Sequence, residues 1–167
     1  MPQPEVWLRG PLPTIPPLLQ PVAHSLLQCR EELIASVRGL TPEQIWARPC
    51  GAASIGFHAQ HAAGSLDRLF TYARGEQLSP TQQAFLAGEG AADLAPGVDG
   101  RIMAAFDVAV ERALAQLRTT SEATLLDTRG VGRAQLPSTV LGLLFHAAEH
   151  TQRHMGQLVT TAKMLSV

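Results

Sequence analysis

The sequence predicts an all-α protein, a four-helix bundle whose long helices are joined by long crossover connections. Three observations support this fold class. Apolar residues recur at three- and four-residue steps in four separate stretches, which is the period of an amphipathic helix. Apolar residues make up 46% of the 167 residues, which is enough for the core of one domain. Glycine and proline interrupt the chain between the four stretches, where helices are expected to end.

Residues 1–17 are predicted to form a proline-rich N-terminal arm, and residues 18–167 to form a single helical domain. The arm contains six prolines, which remove backbone donors and fix φ, so we expect an extended chain there. The first long helix is predicted over residues 18–38. Gly39 follows it and is a suitable C-terminal stop.

Capping residues predict where the next two helical segments begin. Thr41, followed by a proline and a glutamate, is expected to start a short helical turn that ends at Trp46. Ser54 is expected to cap the second long helix, which runs to about Arg74 and stops at Gly75. This helix carries the first pair of histidines.

A long connection follows over residues 75–98, with a short helix predicted from Ser79 to Leu86. Connections of this length inside a domain often serve a function. Because an extended chain spans roughly 3.3 Å per residue, this one is long enough to cross the bundle. We therefore expect the helices on either side of it to run parallel, or the connection to lie over a substrate pocket.

The third long helix is predicted from a cap at Asp99 to Arg118, and the fourth begins at a cap at Ser138. Residues 119–137 form a second long connection, in which residues 130–133 have the composition of a turn. The fourth helix carries the other histidines of interest.

Three histidines, His146, His150 and His154, are spaced four residues apart on the fourth helix. Side chains four apart lie on one side of a helix, so His150 and His154 can bind one metal ion. A catalytic metal site uses about three protein ligands and keeps one position open. The third ligand is expected upstream, at His58 or His61.

The segment at residues 150–157 reads His-x-x-x-His followed by x-Gly-Gln. It resembles the late-helix signature of the DinB-like family, also described as YfiT-like metal-dependent enzymes. Residues 54–63 resemble the segment that adds one histidine from an earlier helix in that family, and His61 falls at its ligand position. The resemblance extends roughly over residues 18–165.

The resemblance implies a DinB-like four-helix bundle with a metal site of three histidines: His61, His150 and His154. His58 and His146 are then left for supporting roles. Either side chain is expected to hydrogen-bond to a bound water or substrate, or else to be a surface residue. Gly156, within the signature, is expected to allow close approach of a neighbouring helix.

Three neutral imidazoles favour a divalent transition metal, with zinc or nickel expected first and iron, cobalt or copper next. Such an ion would make a bound water more acidic, or would bind a thiolate. Each ligand also needs a partner for its second ring nitrogen. The candidates for this role are Glu149, Gln157, Asp67 and Asp107.

The resemblance implies a metal-dependent enzyme that activates a low-molecular-weight thiol, such as bacillithiol or mycothiol, or a water. The first reaction would make the protein a thiol S-transferase acting on an electrophilic substrate, and the second a hydrolase. The sequence departs from a complete active site because it shows no obvious general base beyond the histidines. Two alternatives are a non-catalytic metal-binding or stress-response protein, in which the metal is structural or sensed, and a helical interaction module with surface histidines.

Composition excludes several other function classes. The net charge is −1 and no basic cluster is present, so nucleic-acid binding is not expected. The uncharged run at residues 134–148 is shorter than the roughly 18 residues of a membrane helix. We expect no membrane association.

Two cysteines, Cys29 and Cys50, have no metal-type spacing and no setting that would lower a thiol pKa. A catalytic cysteine and a disulfide framework are not expected, and the first ten residues lack the pattern of a signal peptide. We therefore expect a cytoplasmic protein. A homodimer is also expected, because bundles of the DinB-like family often pair and the apolar content exceeds the need of four short helices.

Overall fold

The computed structural model describes residues 3–165, and the all-α prediction is confirmed for them. Within that range four long helices form a bundle, with two short helices and one two-stranded sheet in the connections. None of these helices is long and apolar enough to cross a membrane. The elements are α1 (Gln20–Val37), α2 (Pro42–Trp46), α3 (Ile55–Ala73), α4 (Pro80–Gly88), α5 (Val98–Thr119), β1 (Thr128–Val131), β2 (Leu136–Thr139) and α6 (Val140–Leu165).

The two helices joined by the first long connection, α3 and α5, run parallel. Near the end of both helices, the Gln116 side chain donates a hydrogen bond of 3.0 Å to the carbonyl of Phe70. At the start of both helices, Ala59 and Val98 line the same small cavity. The prediction that this connection lets its flanking helices run parallel is confirmed.

Helix α1 runs antiparallel to α5. Arg30 lies 3.1 Å from Asp107, and the amide of Gly39 donates a 3.0 Å hydrogen bond to Asp99, at the opposite ends of the two helices. The predicted cap at Asp99 is therefore wrong by two residues. Gly97 is the capping residue of α5, and Asp99 lies in the first helical turn with its carboxylate turned to α1.

The core of the bundle is lined by α1, α3, α5 and α6. Helices α1 and α3 each pack against both α5 and α6, so the four long helices close around one apolar centre. Burying these side chains supplies the main driving force for folding. The largest fully buried side chains are those of Phe106, Leu19, Leu26, Leu33, Ile45, Ile55, Leu66, Leu117, Leu144, Met155, Leu158 and Val37.

The predicted starts of three helices are confirmed. The Thr41 hydroxyl accepts a hydrogen bond from the amide of Gln44 before α2. Ser54 accepts from the amide of Phe57 before α3, and Ser79 caps α4 in the same way. Each serine or threonine satisfies an amide that has no partner within its helix.

A short antiparallel hairpin in the second long connection was not predicted. Strands β1 and β2 pair with each other around a turn at residues 132–135. The predicted cap at Ser138 is wrong because that residue belongs to β2. Thr139 takes the capping role, since its hydroxyl accepts a 3.0 Å hydrogen bond from the amide of Gly142.

The prediction of an extended N-terminal arm is wrong in part. Val6–Arg9 form a single 3₁₀ turn, and Val6 is buried. The amide of Val6 donates to Gln28, while Arg9 pairs with Glu31 at 2.8 Å. Polar side chains of α1 thus hold this segment against the bundle, which the proline content alone did not indicate.

The first long connection lies against α3 and α2 rather than away from the bundle. The indole nitrogen of Trp46 donates a 2.9 Å hydrogen bond to the carbonyl of Asp93. The amide of Gly90 donates a bond of the same length to the side chain of Gln60. These two bonds bring residues 89–93 beside the histidines of α3.

Candidate metal centre

Helices α3 and α6 bring three histidines to one point. One ring nitrogen each of His61, His150 and His154 can be chosen so that all three atoms lie within 4.8 Å of one another. The Nε2 atoms of His61 and His150 are 3.0 Å apart. The ring centroids of His61 and His154 are 4.5 Å apart. Three nitrogens this close fit the coordination shell of a single metal ion.

The local sequence explains how the rings come together. Ser54 fixes the start of α3, and one and two turns later the helix places His58 and His61 toward α6. The ring of Phe57 stacks on His61 with centroids 5.5 Å apart and planes 14° apart, which supports the imidazole from one side. Six of the buried side chains near the histidines on both helices are small: Ala59, Ala62, Ala63, Ala147, Ala148 and Thr151.

His58 is buried and bonds to a member of the cluster. Its Nδ1 lies 3.0 Å from Nδ1 of His154. One of the two rings therefore donates its Nδ1–H to Nδ1 of the other. His58 is thus a hydrogen-bond partner of His154, rather than a surface residue.

His61 has a different partner, Glu89 from the first long connection. Nδ1 of His61 donates to Oε2 of Glu89 at 2.7 Å, and the carboxylate side chain is only 6% exposed. Its second oxygen accepts a hydrogen bond of 2.6 Å from the Arg68 guanidinium. This chain of groups leaves Nε2 of His61 free to face the other two histidines.

The four partners predicted for the ring nitrogens are wrong. In the part of the chain that the structure describes, none of them bonds to His61, His150 or His154. Three of them are held by other side chains and the fourth lines a cavity. The four are Asp67, which accepts from Gln82, Asp107, bound to Arg30, Glu149, bound to Arg153, and Gln157.

His146 stands apart from the cluster. Its side chain is 50% exposed, and Nδ1 donates to Glu149 at 2.7 Å. The ring is 5.4 Å from that of His150, one helical turn away. His146 does not belong to the group of three, and its position at the surface fits the second of the two roles expected for it.

Burial keeps the imidazoles of His58, His150 and His154 neutral near pH 7. It lowers the pKa of His154 to about 4, with further lowering by the neighbouring His61, His150 and His58. Burial also lowers the pKa values of His58 and His150, and His61 adds to the effect in both cases. A neutral imidazole is the form that binds a metal, so these rings need not lose a proton to become ligands near neutral pH.

A cavity of about 500 Å³ opens beside His58, which lies in its wall. Arg153 and Gln157 of α6 contribute polar groups to it. The expected helix contact at Gly156 is wrong, because no atom beyond the adjoining backbone of α6 lies within 4 Å of the position that a Cβ would take there. Gly156 instead leaves this cavity unfilled.

A comparison with known protein families assigns the chain to one of them. The model of the DinB superfamily matches residues 25–158, a range that includes all the histidines of the cluster. No curated protein matches the chain. The match covers most of the 167 residues, and the chain therefore belongs to the DinB superfamily.

Proposed function

We propose that the protein binds one divalent transition-metal ion through His61, His150 and His154 and is a metal-dependent enzyme. The observation that carries this proposal is the convergence of three imidazole nitrogens, from two helices, within 4.8 Å. Lowered pKa values of His150 and His154 add support, because proton competition for these nitrogens is weak near neutral pH. We expect zinc or nickel first, then iron, cobalt or copper.

The number of protein ligands favours catalysis over a purely structural metal. Structural zinc sites use four protein ligands, whereas catalytic sites use about three and keep one position for water or substrate. Among the residues that the structure describes, the ligand group comprises three histidines. When bound, the metal would increase the acidity of a thiol or a water.

Residues beside the metal centre would bind and orient the substrate. The cavity of about 500 Å³ beside His58 supports a small-molecule substrate. We propose that Arg153 and Gln157 orient a polar or anionic end of that molecule there. His58 lies between the cavity and His154, so it is the residue best placed to move a proton to or from a bound group.

We favour a low-molecular-weight thiol that attacks an electrophile, as in a thiol S-transferase. The test offers a panel of small thiols and 1-chloro-2,4-dinitrobenzene to untagged, zinc- or nickel-loaded protein. Turnover is measured as the rate at which the thioether product appears. The expected result is turnover that His150→Ala abolishes. His24→Ala, a substitution on α1 outside the cluster, is the matched control and should retain it.

A hydrolase reaction would instead consume water. Ester and amide substrates offered to the same loaded protein distinguish this reaction, because hydrolysis needs no thiol. If neither reaction exceeds the rate of the His150→Ala variant, the non-catalytic alternative, a structural or sensed metal, is favoured.

The cavity provides a further check on the proposed substrate position. Gly156→Leu places a side chain where there is open space, so we expect the variant to keep its metal and lose turnover. A variant that loses neither would contradict the placement of the substrate beside His58.

Several coarser expectations accompany the proposed function. We propose that residues 18–167 act as a single domain, that the protein is cytoplasmic and that it does not bind nucleic acid. We also expect a homodimer, which the exposed side chains of Phe145 and Leu136 support. Sedimentation analysis of untagged protein tests the dimer, and a monomeric mass would contradict it.

A further inference from the structure

We propose that Glu89, held by Arg68, is a positioning residue that fixes the ring of His61 with its Nε2 turned to the metal centre. The inference rests on the proposed metal-binding function, and it assigns a role to a segment outside the four long helices. Glu89 directly follows α4, in the first long connection, and no sequence motif singles it out.

The two hydrogen bonds of the Glu89 carboxylate determine which nitrogen of His61 carries the proton. One oxygen of Glu89 accepts from Nδ1 of His61 at 2.7 Å, and the other accepts from Arg68 at 2.6 Å. A neutral imidazole bears one ring proton. The carboxylate can only accept a hydrogen bond from Nδ1, so it selects the form with the proton there and the lone pair on Nε2.

Burial makes the arrangement specific. The side chains of Glu89 and Arg68 are 6% and 10% exposed, so water cannot readily replace either partner. A buried carboxylate needs a charged or hydrogen-bonded partner, and Arg68 supplies one from α3, about two turns after His61. Arg68 therefore acts on His61 only through Glu89.

The backbone of α3 leaves room for this pair. A Cβ at Gly64 would lie 2.5 Å from Oε1 of Glu89 and 2.8 Å from the guanidinium of Arg68. Glycine at this position thus lets the carboxylate reach His61 across the helix surface. The amide of the next residue, Gly90, donates a 2.9 Å hydrogen bond to the side chain of Gln60, which precedes His61 in α3. This bond holds the backbone of the connection beside His61.

The first arm of the test uses metal-free protein and nitrogen-15 NMR of the histidine rings near neutral pH. We expect His61 to carry its proton on Nδ1 in the wild type and to populate both forms in Glu89→Ala. The control is Glu76→Ala, which removes an exposed acid of the same connection that pairs with Arg74. It should leave the His61 ring unchanged.

The second arm measures zinc affinity by competition with a chromophoric chelator. Loss of such a partner typically weakens binding roughly 10–100-fold, and we expect this of Glu89→Ala but not of Glu76→Ala. Glu89→Gln keeps an oxygen acceptor of the same size, so it should retain the Nδ1 proton and lie between the wild type and Glu89→Ala. Arg68→Met as a single substitution should weaken zinc binding. Added to Glu89→Ala, it should cause no further loss of zinc affinity.

The outcomes separate the inference from the proposed function. A wild-type His61 that carries its proton on Nε2 overturns the inference, as does zinc affinity equal in Glu89→Ala and Glu76→Ala. Additive effects of Arg68→Met and Glu89→Ala would show that Arg68 does not act through Glu89, and would overturn its role. A wild type that binds no zinc contradicts the metal function, and the NMR arm then decides the inference by itself.

Discussion

At the scale of single residues, the histidine cluster is a set of basic groups buried without a matching set of acids. Glu89 bonds to only one of the four rings, that of His61, while His58 and His154 bond to each other. Protonating these rings would place like charges side by side in a poorly solvated position, which is costly. The metal-free protein should therefore be most stable where the rings are neutral.

A pH dependence of stability follows from this burial. An unfolded histidine takes up a proton near pH 6.5, whereas folded His154 does so only at about 4. Between these values the unfolded state binds more protons, so the free energy of unfolding of the metal-free protein falls as the pH is lowered from 6.5 toward 4. Urea denaturation across this range measures it. His154→Gln should show a shallower decline, and a decline as steep as that of the wild type would contradict the assignment.

The two cysteines are expected to react very differently. Burial raises the pKa of Cys29 to about 12, with a smaller contribution from Glu32, and its thiol lies 2.9 Å from Gln152. Cys50 is exposed. Because the thiolate is the reactive form, iodoacetamide should label native protein at Cys50 alone, as read by mass spectrometry. The Cys50→Ser variant should stay unlabelled until it is unfolded, and labelling of its native state would refute the prediction.

At the scale of elements, the site depends on how α2 and the first long connection pack beside α3. The Trp46 ring lies directly over the first turn of α3, against Gly56, and its indole nitrogen bonds to Asp93. Trp46 thus joins three segments whose relative positions set the surroundings of His58 and His61.

Substitution of Gly56 tests this packing. A Cβ there would lie 2.8 Å from the rigid Trp46 ring, so Gly56→Ala should lower the free energy of unfolding by about 1–3 kcal/mol. Gly100 is the matched control, since it lies in the first turn of α5 and no atom beyond the adjoining helix backbone lies within 4 Å of a Cβ placed there. Gly100→Ala should be neutral or stabilise by about 0.5–1 kcal/mol. Equal effects of the two substitutions in denaturant melts would contradict the contact.

At the scale of the whole molecule, the metal centre would join α3 to α6, which are far apart in sequence. A ligand that binds only the folded state stabilises it by RT ln(1 + [L]/Kd), or about 4 kcal/mol at a thousand times Kd. We therefore expect excess zinc to raise the Tm of the wild type and to have no such effect on His150→Ala. A similar rise in both would indicate binding elsewhere on the protein.

Most of the bundle could be predicted from the sequence because helix periodicity and capping are local. Ser54 and Ser79 act on amides three residues away, so their roles can be read from neighbouring residues. The hairpin could not be predicted, since its strands have four residues each and their pairing depends on residues across the turn. The prediction of a cap at Asp99 was wrong because a carboxylate in the first turn can bond to another element instead, here the amide of Gly39 at the end of α1.

The histidine cluster itself was predictable in part. Spacing places His150 and His154 on one face of a helix, and the family resemblance selected His61 over His58. The partners of the rings were not predictable, because Glu89 reaches the site from an aperiodic connection whose path depends on tertiary contacts. Gly156 was misjudged for a similar reason: a glycine in a sequence does not reveal whether it faces a neighbouring helix or open space.

The measurement that tests the central claim most directly is the metal content of untagged protein after reconstitution with zinc or nickel and removal of the excess. The wild type should retain about one equivalent per chain, and His61→Ala, His150→Ala and His154→Ala should each lose it. His146→Ala, on the same helix but outside the cluster, should keep it. Metal retained by all three cluster variants, or none bound by the wild type, would contradict a metal centre at these histidines.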